Sequence, residues 1–135
     1  MRNITIILLL ALTLVGCKPS EDEKAKSLMT KIERLYQDGH YKETLDSIMS
    51  LRMKHPKAIE SRKKCLKLWQ QASLKMTQED IAKTDSALQA QIALFNQAKS
   101  IREKNFLGIK KDSLQTRYEA LCGTVRIIHK RQQEK

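Results

Sequence analysis

Glycine, proline and aromatic residues are scarce in this sequence, and their scarcity argues against a fold built from strands. The 135 residues include four glycines, two prolines, one tryptophan, three tyrosines and two phenylalanines. An all-β domain needs many tight turns, and glycine and proline supply the backbone conformations of those turns. Lysine, leucine, alanine, glutamine and methionine, which favour helix, are frequent instead. The composition therefore predicts an all-α protein with one domain at most.

The residue patterns that usually carry catalysis or metal binding are also missing. The sequence contains no Gly-x-Ser-x-Gly motif, no Cys-x-x-Cys or His-x-x-x-His pair and no glycine-rich phosphate loop. The three histidines, His40, His55 and His129, are far apart and fall at predicted turns or helix ends. We therefore expect no enzyme, no metal site and no bound cofactor.

Acidic residues are outnumbered, and the resulting positive charge favours anionic partners. The chain has 26 Lys and Arg against 15 Asp and Glu, a formal charge of +11. Such an excess attracts phosphates, acidic glycans and anionic lipid headgroups. The densest group of cations, called the basic cluster below, surrounds the predicted turn between the second and third helices. Its members are Arg52, Lys54, Lys57, Arg62, Lys63, Lys64 and Lys67.

Two interpretations of the basic cluster stay open. The cluster either binds an anionic glycan or lipid headgroup, or it is a solvated helix face that keeps the chain soluble. Binding of nucleic acid is not expected, because such sites combine cations with stacking aromatic residues. Only Trp69 is near the cluster, and its spacing places it in the core.

The first segment of the chain has the pattern of an export signal. Arg2 is followed by an uncharged and mostly apolar run over residues 4–15. Twelve helical residues extend about 18 Å, which is short of the roughly 30 Å hydrocarbon core of a membrane. A secretory signal peptide fits this length better than a membrane span. We expect residues 1–16 to be removed.

The end of this signal resembles the lipobox of bacterial lipoproteins. The residues that carry the resemblance are Leu14, Val15, Gly16 and Cys17. The resemblance implies that Cys17 becomes the mature N-terminus and carries two or three acyl chains, which hold a protein on a membrane where one chain does not. It also implies a location in the cell envelope, anchored in the outer membrane. This covalent lipid is the only non-protein group that we expect.

The residues after Cys17 have two compatible interpretations. Residues 17–23 form a polar tether, and its acids Glu21, Asp22 and Glu23 look like the signal that sends many Bacteroidetes lipoproteins to the outer face of the outer membrane. The same residues also suit a helix start, since Ser20 and Glu23 have the spacing of a capping box. Acids in a first helical turn are favoured by the helix dipole.

The spacing of apolar residues predicts about five helices in residues 24–135, forming a single domain. The first helix ends at a turn at Gly39, and the second ends before Pro56. Their apolar residues recur every three or four positions, as on one helix face. These residues are Ala25, Leu28, Met29, Ile32, Leu35 and Tyr36 in the first helix, and Tyr41, Leu45, Ile48 and Leu51 in the second.

The rest of the chain is predicted to be a third helix over residues 57–76 and a hairpin of two helices over 77–135. The third helix has Ile59, Leu66 and Trp69 turned inward. Thr77 is the expected N-cap of the fourth helix, and residues 105–108 are the expected break before the fifth. The apolar seams of the hairpin have the spacing of an antiparallel coiled coil. They consist of Leu74, Ile81, Leu88 and Phe95, then Leu114, Tyr118, Leu121, Val125 and Ile128.

Residues 25–58 resemble a single degenerate tetratricopeptide-type repeat. The resemblance rests on Gly39, Tyr41, Thr44, Leu45, Ile48, Leu51 and Pro56. It implies a repeat-like helical hairpin, in residues 24–76, of a class that binds peptides or partner proteins and does no chemistry. An ordinary helical hairpin uses the same turn and stop residues, so this alternative stays open.

Two cysteines besides Cys17 are present, and their spacing leaves their state open. In an oxidising envelope, Cys65 and Cys122 form a disulfide if the fold brings the third and fifth helices together at these positions. Alternatively, each is a small hydrophobic residue beside an apolar stripe. A disulfide requires Cα atoms within roughly 7 Å of each other.

Together these features predict a lipid-anchored interaction or scaffold module of the cell envelope, exposed at a membrane surface and without catalysis. It is expected to contact the membrane through its lipid and to tether a protein partner. The alternative function is direct binding of anionic glycan or lipid headgroups through the basic cluster.

Overall fold

The computed structural model describes residues 19–134, and these residues form four α-helices and no strand. The helices are α1 (Glu21–Gln37), α2 (Tyr41–Lys54), α3 (Ile59–Gln97) and α4 (Ile101–Gln133). The predicted all-α class is confirmed, whereas the predicted number of about five helices is wrong. The signal peptide, Leu14, Val15, Gly16 and Cys17 lie outside the described residues.

The expected third and fourth helices are one continuous helix of 39 residues. Thr77, predicted as an N-cap, lies inside α3, where its hydroxyl donates to the carbonyl of Ser73 at 2.7 Å. A threonine hydroxyl can form its hydrogen bond with a backbone carbonyl inside a helix or with a backbone N–H at a helix start, so the residue alone does not mark a cap. Because neither glycine nor proline interrupts residues 59–97, the backbone keeps its helical hydrogen bonds through this position.

The predicted break at residues 105–108 is also wrong, because the turn comes earlier. Ser100 is the N-cap of α4, and its hydroxyl accepts a hydrogen bond from the backbone N–H of Glu103 at 3.2 Å. Gly108 lies within α4, where a Cβ atom would come 3.4 Å from the ring of Phe95. This separation is an ordinary van der Waals contact, and Gly108 does not act as a break in the helix.

The first two helices form a hairpin around Gly39, as the sequence predicted. Gly39 has a φ of +79°, in the left-handed region that favours glycine. Thr44 faces the interior of this hairpin and donates its hydroxyl to the carbonyl of His40 at 2.8 Å. Its polar atom is thus satisfied although the side chain is fully buried.

The main core lies where the beginning of α3 packs against α1 and α2, in what is called the base below. Complete burial of an aliphatic side chain contributes about 1.5–3 kcal/mol, so this cluster is the main source of stability. Its buried members are Ala25, Met29, Ile32, Ile48, Leu51, Ala58 and Cys65, with Leu28, Leu68 and Trp69 packed around them.

The rest of α3 pairs with α4 alone to form an arm that extends from the base. Leu88 is buried on the α3 side, whereas α4 contains no fully buried residue. Polar side chains occupy alternate positions of the α3 seam. Thr77 and Thr84 are buried there, and Gln91 Nε2 donates to the carbonyl of Leu107 on α4 at 3.1 Å. The arm is therefore held by a thin apolar contact.

Candidate functional site

The acids that follow the predicted anchor each have a structural contact. Ser20 and Glu23 form the predicted capping box: the Ser20 hydroxyl accepts from the Glu23 N–H at 3.1 Å, and the Glu23 carboxylate accepts from the Ser20 N–H at 2.6 Å. Glu21 pairs with Lys24 at 2.7 Å and lies 3.8 Å from Nδ1 of His55. The hydrogen bond from Lys24 is the largest cause of the lowered pKa of Glu21. The helix-start interpretation of this segment is confirmed, and the export-signal interpretation stays a prediction.

The third acid, Asp22, reaches across to another helix. Its Oδ1 accepts hydrogen bonds from the backbone N–H and the hydroxyl of Ser61, both at 2.8 Å. A carboxylate here satisfies donors that the first turn of α3 leaves unpaired and lies at the positive end of the helix dipole. These hydrogen bonds from Ser61 lower the pKa of Asp22. The start of α1 is thus fixed to the start of α3.

Members of the basic cluster are partly engaged within the base. Arg62 donates from Nη1 to the carbonyl of Pro56 at 2.7 Å, and Lys63 pairs with Glu60 at 2.9 Å. The guanidinium carbon of Arg52 lies 5.3 Å from the ring centroid of Trp69, within cation–π range. Lys54, Lys57, Lys64 and Lys67 are exposed to solvent.

Two aliphatic residues lie exposed among these cations, against the sequence prediction that they face inward. Ile59 is 60 % exposed and Leu66 is 50 % exposed. The buried face of α3 is instead formed by Ser61, Cys65 and Ala72, which are smaller. Ile59 and Leu66 line an open cavity of about 380 Å³, called the basic groove below. Its remaining lining residues are Arg52, Arg62 and Lys63.

The basic groove continues towards the end of α4. Arg52 and Leu66 also line a neighbouring cavity of about 340 Å³ together with Ile128 and Arg131. Lys67 and Arg131 line a third cavity beside it, of about 550 Å³. The antiparallel arm brings the C-terminal cations of α4 back to the basic cluster, a juxtaposition that sequence reasoning missed. The sequence feature that indicates this juxtaposition is the similar length of the two arm helices, since an antiparallel pair of equal length brings the end of the second helix back to the beginning of the first.

The two cysteines are free thiols in the structure. Cys65 is buried, and its Sγ lies 3.6 Å from Sδ of Met29. Leu66, next to Cys65, shares a cavity with Arg131, which is nine residues beyond Cys122 on α4. Nine helical residues span about 13 Å, which exceeds the Cα separation that a disulfide permits. Burial also raises the pKa of the Cys65 thiol, so Cys65 has the character of a core residue.

Residues 19–134 contain no group of three or more His, Cys, Asp and Glu side chains placed to hold a metal ion. Among the same residues, no helix has both the length and the apolar character needed to cross a membrane. No protein-family model, curated protein or solved structure matched the chain.

Proposed function

We propose that the protein is a lipid-anchored interaction module of the cell envelope that tethers a protein partner at the surface of the outer membrane. The proposal starts from the lipobox-like residues 14–17, which make Cys17 the attachment point of the lipid. The described chain begins two residues after Cys17, and Asp22 is hydrogen-bonded to Ser61. The start of α1, which follows the proposed attachment point, therefore lies beside the start of α3.

The observation that carries the proposal is the separation of this end from the tip of the arm. The 39 residues of α3 extend about 58 Å. About 42 Å of this length lies beyond Trp69, the last α3 residue of the base cluster. At the far end, called the tip below, Ile101 is 80 % exposed and Leu94 is 52 % exposed. These exposed aliphatic side chains at the far end of the arm support docking of a partner there.

The mechanism is confinement rather than chemistry. A lipid on Cys17 restricts the protein to a membrane surface, and a partner bound to the arm is restricted with it. Confinement of this kind raises the effective concentration of the partner at the surface without any additional contact. The cations Lys99, Arg102 and Lys104 around the tip favour a partner surface that combines apolar and acidic residues.

The anchor is tested by fatty-acid labelling of cells that express the full chain. Cys17→Ser is expected to abolish incorporation of labelled fatty acid and to leave the precursor unprocessed. Cys122→Ser is the matched control, since it removes another thiol and is expected to leave labelling unchanged. Labelling that persists in Cys17→Ser contradicts the lipid anchor.

A second candidate function is binding of an anionic glycan or lipid headgroup in the basic groove. The observation that favours it is the combination of exposed Ile59 and Leu66 with Arg52, Arg62 and Lys63 in one cavity. An anionic headgroup with an apolar portion satisfies both kinds of side chain. The groove also lies close to the start of α1, because Ile59 and Arg62 are near Ser61, the partner of Asp22.

A further inference from the structure

A cavity of about 340 Å³ lies where the base meets the arm, and three helices form its walls. Arg52 comes from α2, and Leu66 and Trp69 come from α3. Ile128 and Arg131 come from the last turns of α4. The cavity is called the junction cavity below. Its volume lies within the range that is usual for small-molecule sites, about 300–1,000 Å³.

Two arginines from different helices line this cavity without an acidic partner. Within residues 19–134, neither Arg52 nor Arg131 takes part in an ion pair. None of the described residues that line the junction cavity is acidic, and Glu134 lines the adjacent cavity instead. The two cations therefore repel each other, and an anion bound between them removes this repulsion.

The arginine side chains keep their hydrogen-bond donors available for such an anion. The guanidinium carbon of Arg52 lies 5.3 Å from the ring centroid of Trp69, and a cation–π contact of this kind uses no N–H donor. Guanidinium groups bind phosphate and carboxylate groups through paired N–H donors. Gln70 and Ser73, which also line the cavity, supply further polar groups for hydrogen bonds.

The remaining wall of the junction cavity is apolar. It consists of Leu66, which is 50 % exposed, and of Trp69 and Ile128, which are half-buried. A ligand that covers these side chains removes apolar surface from water. The cavity therefore suits an anion that carries an apolar portion better than a free inorganic ion.

We propose that the junction cavity binds a small amphipathic anion, whose phosphate or carboxylate group lies between Arg52 and Arg131 and whose apolar portion contacts Leu66, Trp69 and Ile128. Among the described helices, α4 packs against α3 alone. A bound anion thus connects α2 to the end of α4 and strengthens the attachment of the arm to the base. The site is distinct from the basic groove, because Ile128 and Arg131 do not line the groove.

The site is tested by titrating the chain from Lys18 onwards, which contains all four described helices, with hexyl phosphate and with hexanoate. Trp69 is the only tryptophan of the sequence and lines the cavity, so its fluorescence reports on the site. At least one of the two anions is expected to change this fluorescence in a saturable way, and the stronger binder identifies the preferred anionic group. Hexanol is expected to have no such effect. No saturable change with either anion, or an equal change with hexanol, overturns the proposal.

Three variants locate the bound anion. Arg131→Gln is expected to weaken binding about tenfold or more, because it removes one of the two guanidinium groups. Arg126→Gln is the matched control, since Arg126 is an exposed arginine of α4 that does not line the cavity. Lys63→Gln separates the two sites, because Lys63 lines the basic groove and not the junction cavity. Both are expected to leave binding unchanged.

The same variants provide the results that contradict the site. A loss of binding in Arg126→Gln that equals the loss in Arg131→Gln shows attraction to net charge alone and overturns the proposal. A loss in Lys63→Gln of that size places the anion in the basic groove, which overturns the junction site and leaves the second candidate function standing.

Discussion

The carboxylate of Asp22 on α1 closes the N-terminus of α3 by accepting two hydrogen bonds from Ser61, each 2.8 Å long. The two residues are 39 positions apart in the chain. Their contact fixes the start of α1 to the beginning of the longest helix. The direction of the arm relative to α1 therefore depends on this contact.

Replacement of Asp22 by alanine is expected to lower the melting temperature in a pH-dependent way. The hydrogen bonds from Ser61 hold the pKa of Asp22 below its ordinary value of 3.8. A carboxyl group with a lowered pKa stabilises the fold fully above its ordinary pKa, and this stabilisation is lost as the pH falls through the lowered pKa. The difference in melting temperature between the two proteins is thus expected to be constant near neutral pH and to shrink below about pH 4.

Asp46→Ala is the control for this experiment, because Asp46 is an exposed acid of α2. It is expected to leave the melting temperature nearly unchanged. An equal loss in both variants, or a loss in Asp22→Ala that is as large at pH 2 as at pH 7, contradicts the capping role of Asp22.

Ile48→Ala is expected to destabilise the protein by about 2–5 kcal/mol, because it leaves a cavity in the base. Ile48 is fully buried in the cluster that joins α2 to α1 and α3. Met53→Ala on the same helix is the control: Met53 is 75 % exposed, and its truncation is expected to change stability by no more than about 0.5 kcal/mol. Urea denaturation followed by circular dichroism measures both. Similar losses in the two variants contradict the assignment of the core.

Gly39→Ala is expected to cost about 1–2 kcal/mol, because alanine is strained at a positive φ. No atom lies within 4 Å of an added Cβ at this position, so the cost is conformational and not a clash. Gly39→Asn is expected to cost less, since asparagine tolerates the left-handed region better. Thermal unfolding of the two variants distinguishes them. An alanine variant as stable as the wild type is inconsistent with the turn.

Reversal of charge in the basic groove tests the second candidate function. The chain from Lys18 onwards is mixed with vesicles of anionic or neutral lipid, so that no covalent lipid contributes. Arg62→Glu with Lys63→Glu is expected to weaken binding to anionic vesicles about tenfold or more. Wild-type binding is expected to fall as salt is added, because salt screens exposed charges. Lys75→Glu with Lys83→Glu makes the same change further along α3 and is the control. Binding that survives both salt and reversal eliminates the groove as an anion site.

Local sequence patterns predicted the helices wherever a strong stop residue was present. Gly39 marked the end of α1, and the three-to-four spacing of Ala25, Met29, Ile32, Ile48 and Leu51 identified residues that are buried in the base. The same reasoning failed at Thr77, which lies inside α3. A capping pattern marks the start of a new helix only where the preceding helix also ends, and no glycine or proline ends α3 near this residue. Ser100, with Glu103 three residues later, has the spacing of a helix start, but the break was predicted five residues further on, at residues 105–108.

The chemistry of the groove was visible in the sequence, but its shape was not. The cations from Arg52 to Lys67 were identified as a cluster, whereas the exposure of Ile59 and Leu66 depends on small residues occupying the buried face of α3. The approach of Arg131 and the contact of Asp22 with Ser61 join residues that are distant in the chain. Spacing within one helix carries no information about such contacts.

The central claim, an anchored arm that holds a protein partner at its tip, is tested most directly by photocrosslinking in intact cells. A photoreactive residue at Ile101 on the tip is expected to capture a discrete protein, and the same residue at Lys42 on the base is expected not to capture it. Capture at Ile101 is expected to fall when Cys17→Ser removes the lipid, because confinement is then lost. No captured protein at Ile101, or equal capture with and without Cys17, contradicts the account.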